Sequence, residues 1–198
     1  MNEDKQSFWI KLLLYLSRDI DSRVSGSGKH STQVAQLVKT TARKMDCDEE
    51  EIRSIYWAGL LHDIGKIGVP DKVLSKAGPL TDDEWDVMKL HPAVGSNIVQ
   101  SLQSISHIAP VIYAHQEKYN GSGYPEGLQG EQIPLGARIL TVVDAYDAMT
   151  SDRHYRRARS HAEAAEELLQ LGGKQFDPQV VEVFLELSPA FTLPYAWA

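Results

Sequence analysis

The stretch Ala58-Gly59-Leu60-Leu61-His62-Asp63-Ile64-Gly65-Lys66-Ile67-Gly68-Val69-Pro70-Asp71 decides how this chain is read. Small and apolar residues run into an adjacent histidine and aspartate, and a glycine turn follows. An ionised aspartate beside a buried run is costly unless it is paired or coordinated. Imidazole nitrogen plus carboxylate oxygen is also the ligand mix of iron, manganese, zinc and similar divalent ions. Upstream, Asp48 with Glu51 three residues on has the form of an N-cap with its capping-box glutamate. It opens a helix through Ile52, Ile55, Tyr56, Ala58 and Leu60 that runs to His62-Asp63 and stops near Gly65.

Helical spacing recurs on both sides of this stretch. Ser7–Asp19 reads as an amphipathic helix, Ser25–Gly28 as a flexible break, and Val34, Ala35, Leu37, Val38, Thr41 and Met45 as one helix face. Thr81 followed by three acids marks an N-terminus, with negative charge on the helix dipole. Pro92 suits the first turn of another helix, because proline lacks only an amide that is orphaned there. Ile105–Tyr113 reads as helical and leads to a glycine-rich loop, Asn120–Gly130. Pro134 then opens a helix over Leu135–Thr150, and His161–Leu171 and Pro178–Leu187 close the chain. No alternating strand pattern and no repeat interrupts this series, so the expected fold class is all-α.

Composition bounds the function. The 198 residues are enough for one domain with a sizeable core, and 42% hydrophobic with 24% charged residues excludes a largely disordered chain. Cys47 is the single cysteine, which rules out an intramolecular disulfide or a cysteine-based zinc finger and suits a reducing cytoplasm. A net charge of −7 argues against a nucleic-acid polymer as partner, so an anionic ligand needs a local positive patch. The apolar run Phe8–Leu16 is broken by Lys11 and is far shorter than the roughly 20 residues of a membrane span. That helix either packs on its own domain or serves as a dimer or connector element.

Seven histidines are present. His30 begins a helix, His91 precedes the proline-started one, and His115 ends a helix before the glycine-rich loop. Asp144 interrupts the apolar run Ile139–Tyr146, where an unpaired carboxylate is out of place. With His62 and Asp63 these make a set of candidate metal ligands.

His62 to Asp71 resembles the signature of the HD-GYP family. Asn120-Gly121-Ser122-Gly123-Tyr124-Pro125 resembles its GYP loop, and Ile133–Ile139, Asp144–Arg153 and Gly173–Pro178 are similar to its later motifs. The similarity covers about residues 29–187, giving a domain plan of an N-terminal helix and break over 1–28, an HD-GYP domain over 29–187 and a tail over 188–198. The resemblance implies an HD-domain helical bundle around two divalent ions, iron or manganese, and hydrolysis of cyclic di-GMP to pGpG or onward to GMP in bacterial signalling. It implies His30, His62 and Asp144 on one ion, His91 and His115 on the other, and Asp63 bridging.

The same resemblance implies that Lys66, Arg153 and Arg156 meet substrate phosphates or guanine edges. Tyr124 either packs against a base or braces the loop. GGDEF-domain proteins are the partners that the family's loop suggests, and the N-terminal helix is a candidate homodimer contact. Three departures stand out. Gln116 occupies the place of a usual second histidine, making it a weak, neutral ligand candidate. Gly26 replaces the glutamate of trinuclear members, and Asn120 replaces a usual aspartate. Two other readings therefore accompany the enzyme: an inactive module that binds the nucleotide or a partner, and a phosphodiesterase for another cyclic dinucleotide such as cyclic GMP-AMP.

Overall fold

A computed structural model describes residues 3–25, 28–152 and 157–191. Among them the regular elements are helical: α1 (Glu3–Ser25), α2 (His30–Lys44), α3 (Glu49–Leu61), α4 (Asp71–Leu74), α5 (Asp82–Met88), α6 (His91–Gln100), α7 (Ala109–Ala114), α8 (Leu135–Thr150), α9 (His161–Gln170) and α10 (Pro178–Phe191). The only β pairing among the described residues is two isolated bridges, Asn120 with Gln129 and Gly172 with Phe176. The all-α expectation holds. No helix among the described residues is long and apolar enough to cross a membrane.

The sequence signals act as expected at several ends. Asp48 accepts from the Glu50 and Glu51 amides at 2.8 Å while Glu51 accepts from the Asp48 amide, completing the box that starts α3. Thr81 and Glu84 do the same for α5, and Ser160 with Glu163 for α9. Three expectations need correction. The first helix is not confined to Ser7–Asp19, because Ile20 and Val24 carry the apolar stripe of α1 one turn further into its charged C-terminal part. Ile105–Tyr113 is not continuous either. A 3-10 turn at Ser106–Ile108 precedes α7, which restarts with Pro110 in its first turn. Helix α10 also runs past residue 187 to Phe191.

Helix α3 divides the interior. Its first half, with Ile52 and Ile55, joins Val34 and Val38 of α2, Ile139 to Met149 of α8, and Leu168, Val180 and Phe184 of the last two helices. Its second half, with Ala58 and Leu61, joins Leu13 and Ile20 of α1, Val99 of α6, and Ile108 and Ile112 near α7. His62 and Asp63 follow at the seam of these two cores. The chain then makes a 3-10 turn, Ile64–Gly68, that packs on α6. A Cβ at Gly65 would lie 1.9 Å from the His91 carbonyl oxygen and 2.5 Å from the Gly95 nitrogen. Only glycine allows this backbone approach, and the approach sets His91 beside Asp63.

Candidate metal centre

Four imidazoles converge from helix ends. His30 is the first residue of α2, His62 caps the C-terminus of α3, His91 starts α6, and His115 caps the C-terminus of α7. Their rings form a chain of edge-to-face contacts, with centroids 5.3 Å apart for His30 and His62, 5.4 Å for His62 and His115, and 5.1 Å for His91 and His115. Asp144 reaches in from the middle of α8.

Three of the rings share one device. Nδ1 of His62, His91 and His115 donates to the carbonyl three residues back: Gly59 at 2.9 Å, Met88 at 2.8 Å and Ile112 at 2.6 Å. A carbonyl can only accept, so the neutral ring keeps its hydrogen on Nδ1 and turns a bare Nε2 inward. Burial lowers the His91 imidazole to about 4 and the His115 imidazole to about 3, with the Lys66 charge adding to the first and His91 to the second. Both are neutral at pH 7. Nε2 of His62 is buried with no hydrogen-bond partner among the described residues. Buried polar atoms left this way ask for an ion or a water.

The donors fall into two groups, His30 with His62 and Asp144, and Asp63 with His91 and His115, each with its ligand atoms within 4.8 Å of one another. Asp63 connects them, since Oδ2 lies 3.5 Å from His62 Nε2 and Oδ1 lies 3.6 Å from His91 Nε2. Burial alone would raise the Asp63 carboxyl, but the Lys66 ammonium, 2.6 Å from Oδ2, and the surrounding imidazoles hold it well below the usual carboxylate range. Burial likewise opposes ionisation of Asp144, and its hydrogen bond to His30 at 3.2 Å outweighs this. These N and O donors, three of them imidazole Nε2 atoms that carry no hydrogen, fit divalent ions.

His30 differs from the other three. Burial lowers its imidazole, but Asp144 on Nε2 and Asp147 on Nδ1, the latter at 2.7 Å, more than reverse this and push it up to about 10. Asp147 was not singled out from the sequence. The carboxylate–histidine contact that it makes is the usual way a ligating ring is oriented. Its signal is present: Asp147 is a second acid, directly after the apolar run and one turn past Asp144 on the same helix face.

Two cavities open on the centre. One, of about 190 Å³, is lined by Asp21, Val24, His30, Asp63, Lys66, Asp144 and Ala148. The other, of about 560 Å³, carries Lys66, His91, Gln116 and Tyr124 at its inner end and Trp85, Met88 and Leu80 further out. Lys66 thus stands at both openings. The Tyr124 hydroxyl donates to Gln116 Oε1 at 3.3 Å, and its ring lies 6.5 Å from that of His91. Trp85, 45% exposed, is a further site candidate that the sequence did not reveal.

Glu117 is 1% exposed and Oε1 accepts from the Glu126 and Gly127 amides at 2.7 and 3.0 Å, tying down the loop that carries Tyr124. A Cβ at Gly123 would lie 2.5 Å from the Glu117 Cα, so this loop also needs its glycine there. Arg153 and Arg156, expected on substrate, lie outside the described residues, as do His154 and Gly26. Arg157 and Arg159 are exposed in the coil before α9, and Arg159 pairs with Glu167. His107 is exposed, and His161 stacks on Tyr146.

The helical arrangement and the paired histidine–aspartate site define a class. A family model of the HD domain matches residues 15–180, and the chain belongs to that family. It is 41% identical over 172 residues to the cyclic di-GMP phosphodiesterase response regulator RpfG of Xanthomonas campestris, covering 86% of this chain and 46% of that protein. It is 36% identical over 192 residues to a cyclic di-GMP phosphodiesterase of Thermotoga maritima, covering 96% and 52%. The chain therefore spans about half the length of the curated relatives it matches. Among solved structures, a cyclic GMP-AMP specific phosphodiesterase of Vibrio cholerae superposes with a TM-score of 0.70 at 20% identity, over 91% of this chain and 48% of that one. That likeness speaks for the fold.

Proposed function

We propose that this chain is a metal-dependent phosphodiesterase unit that opens cyclic di-GMP to linear pGpG. One observation carries the reading: Nε2 atoms whose rings keep their hydrogens on Nδ1 converge with Asp63 and Asp144, and His91 and Lys66 of this cluster line a groove large enough for a nucleotide. The curated relatives, named for this activity, supply the substrate class.

In this reading His30, His62 and Asp144 would hold one divalent ion and His91 and His115 a second, with Asp63 the shared carboxylate between them. Iron or manganese suits the mixed nitrogen and oxygen donors. Such ions supply Lewis acidity, lowering the pKa of water and neutralising the charge that builds on a phosphodiester. Lys66, which lines both cavities, meets a phosphate oxygen as a point charge. Tyr124 and Trp85 offer ring faces to a base, and Gln116 holds the Tyr124 hydroxyl. Exposed Phe8, Trp9 and Tyr15 on α1 support a contact between copies of the chain.

The test is metal content by mass spectrometry on protein purified without chelator, beside cyclic di-GMP turnover with added Mn²⁺ or Fe²⁺. About two ions per chain, with pGpG formed by the wild type and not by Asp63→Ala, is the expected result. Nucleotide binding without product would replace the enzyme with a binding module, the reading that Gln116 favours. Faster turnover of cyclic GMP-AMP than of cyclic di-GMP would reassign the substrate.

A further inference from the structure

Helix α1 packs over the start of α2 and the end of α3 with two buried polar residues one turn apart, Ser17 and Asp21, each 2% exposed. Asp21 Oδ2 accepts from the Ser31 amide at 2.8 Å, and Oδ1 accepts from the Ser31 hydroxyl at 2.9 Å. The Ser17 hydroxyl donates to the Leu60 carbonyl at 2.7 Å and lies 3.2 Å from the Ser31 hydroxyl. Ser31 follows His30 directly, and Leu60 lies two residues before His62. A single face of α1 therefore fixes backbone groups beside both histidines of the His30–His62–Asp144 group.

Helix α2 also lacks the usual means of holding its own start. Its N-cap is Lys29, which makes no side-chain cap, and no acid lies in its first turn. Asp21 fills this gap from another helix, accepting a first-turn amide that α2 leaves without a cap. Asp21 further lines the smaller cavity with His30, Asp63, Lys66 and Asp144. Burying a carboxylate is costly, and an apolar pair would dock α1 without that cost. Hydrogen bonds add what apolar contact lacks here, a set position for two backbone segments.

We infer that Ser17 and Asp21 are positioning residues for the His30–His62–Asp144 group and set its affinity for a divalent ion. This rests on the metal-binding reading above. The affinity of that group depends on how α1 is seated, whereas Asp63, His91 and His115 keep their ion without it.

The experiment is Mn²⁺ binding by equilibrium dialysis, with bound metal measured by mass spectrometry. Asp21→Ala is expected to keep one ion at wild-type affinity and to weaken the other about 10-fold or more. Asp21→Asn keeps an oxygen for the Ser31 amide and an amide group for the hydroxyl, so it should bind both ions nearly as the wild type does. Wild-type affinity for both ions in Asp21→Ala overturns the inference. So does Asp21→Asn binding as weakly as Asp21→Ala, because charge rather than position is then at work. Should Asp21→Ala fail to fold by circular dichroism, Ser17→Ala carries the same expectation, and unchanged Mn²⁺ binding in it overturns the inference. A wild-type chain that takes up no Mn²⁺ overturns the metal reading as well, whereas normal wild-type binding with unaffected variants overturns this inference alone.

Discussion

His91 and His115 face each other through their Nε2 atoms at 3.1 Å, although neither atom has a hydrogen to give while each Nδ1 donates to a backbone carbonyl. Two lone pairs held this close repel, and a cation against both removes the repulsion. Folding has positioned these rings by apolar packing of α6 and α7, at a local electrostatic cost that ion binding relieves.

Divalent metal should therefore stabilise the fold. An ion at 100 times its Kd contributes about 2.7 kcal/mol, which for a chain of this size raises Tm by about 5–10 °C. Scanning fluorimetry with Mn²⁺ and with EDTA measures this. Identical melting curves in the two would contradict the relief of repulsion.

Gly65 tests how the site is built from the backbone upward. A methyl group there meets the His91 carbonyl and the Gly95 nitrogen, both backbone, so Gly65→Ala must push α6 away from the turn after Asp63. A loss of about 1–3 kcal/mol or more is expected, with weaker metal binding. Gly78 has nothing within 4 Å of its added methyl, and Gly78→Ala should stay within about 0.5 kcal/mol. Urea unfolding of the pair decides. Equal stabilities would mean that the close approach is not what places His91.

Glu117 gives a test of the loop. Glu117→Ala strands the Glu126 and Gly127 amides, at about 1–3 kcal/mol for groups so left. Glu117→Gln keeps an acceptor oxygen and should retain most of the stability. Limited proteolysis between residues 120 and 130 should quicken in the alanine variant and much less in the glutamine one. Equal cleavage of wild type and Glu117→Ala would remove the anchoring role.

The sequence made the six ligand candidates legible because each sets a polar group inside or at the end of an apolar helical run, where it must have a partner. Asp147 carries a weaker form of the same signal, because it lies just beyond the apolar run that Asp144 interrupts. Ser17 and Asp21 were hidden for the opposite reason: polar residues one turn apart on an amphipathic helix read as a solvated face, and only packing of α1 over Ser31 and Leu60 shows otherwise. The charged residues Asp19, Asp21 and Arg23 likewise masked the end of α1, although Ile20, 4% exposed, continues its stripe. Pro110 marked the break before α7, since it cannot supply the amide that a continuous helix would need. Trp85 gives no pattern signal, because its importance lies in a groove formed with residues some forty positions away.

The two ligand groups should answer pH differently. His30 is pushed up to about 10 by Asp144 and Asp147, whereas His91 and His115 lie at about 4 and 3. Between pH 6 and 9 the metal-free protein thus carries a second, charging ring proton on His30, whereas the other two rings keep only their Nδ1 hydrogen. An ion bound at His30 must displace that proton, so affinity at the His30–His62–Asp144 group should rise about tenfold per pH unit and level off near pH 10. The Asp63–His91–His115 group should stay nearly flat over the same range. The sign for stability is opposite: His30 is raised above its ordinary 6.5, so its contribution to the metal-free fold is complete below that pH and fades as pH rises towards 10. Mn²⁺ titrations at pH 7, 8 and 9, with proton release followed calorimetrically in two buffers, measure both groups. One pH-dependent ion and one indifferent ion are expected. Two indifferent ions would mean that His30 is already neutral and that its two carboxylates do not hold a proton there.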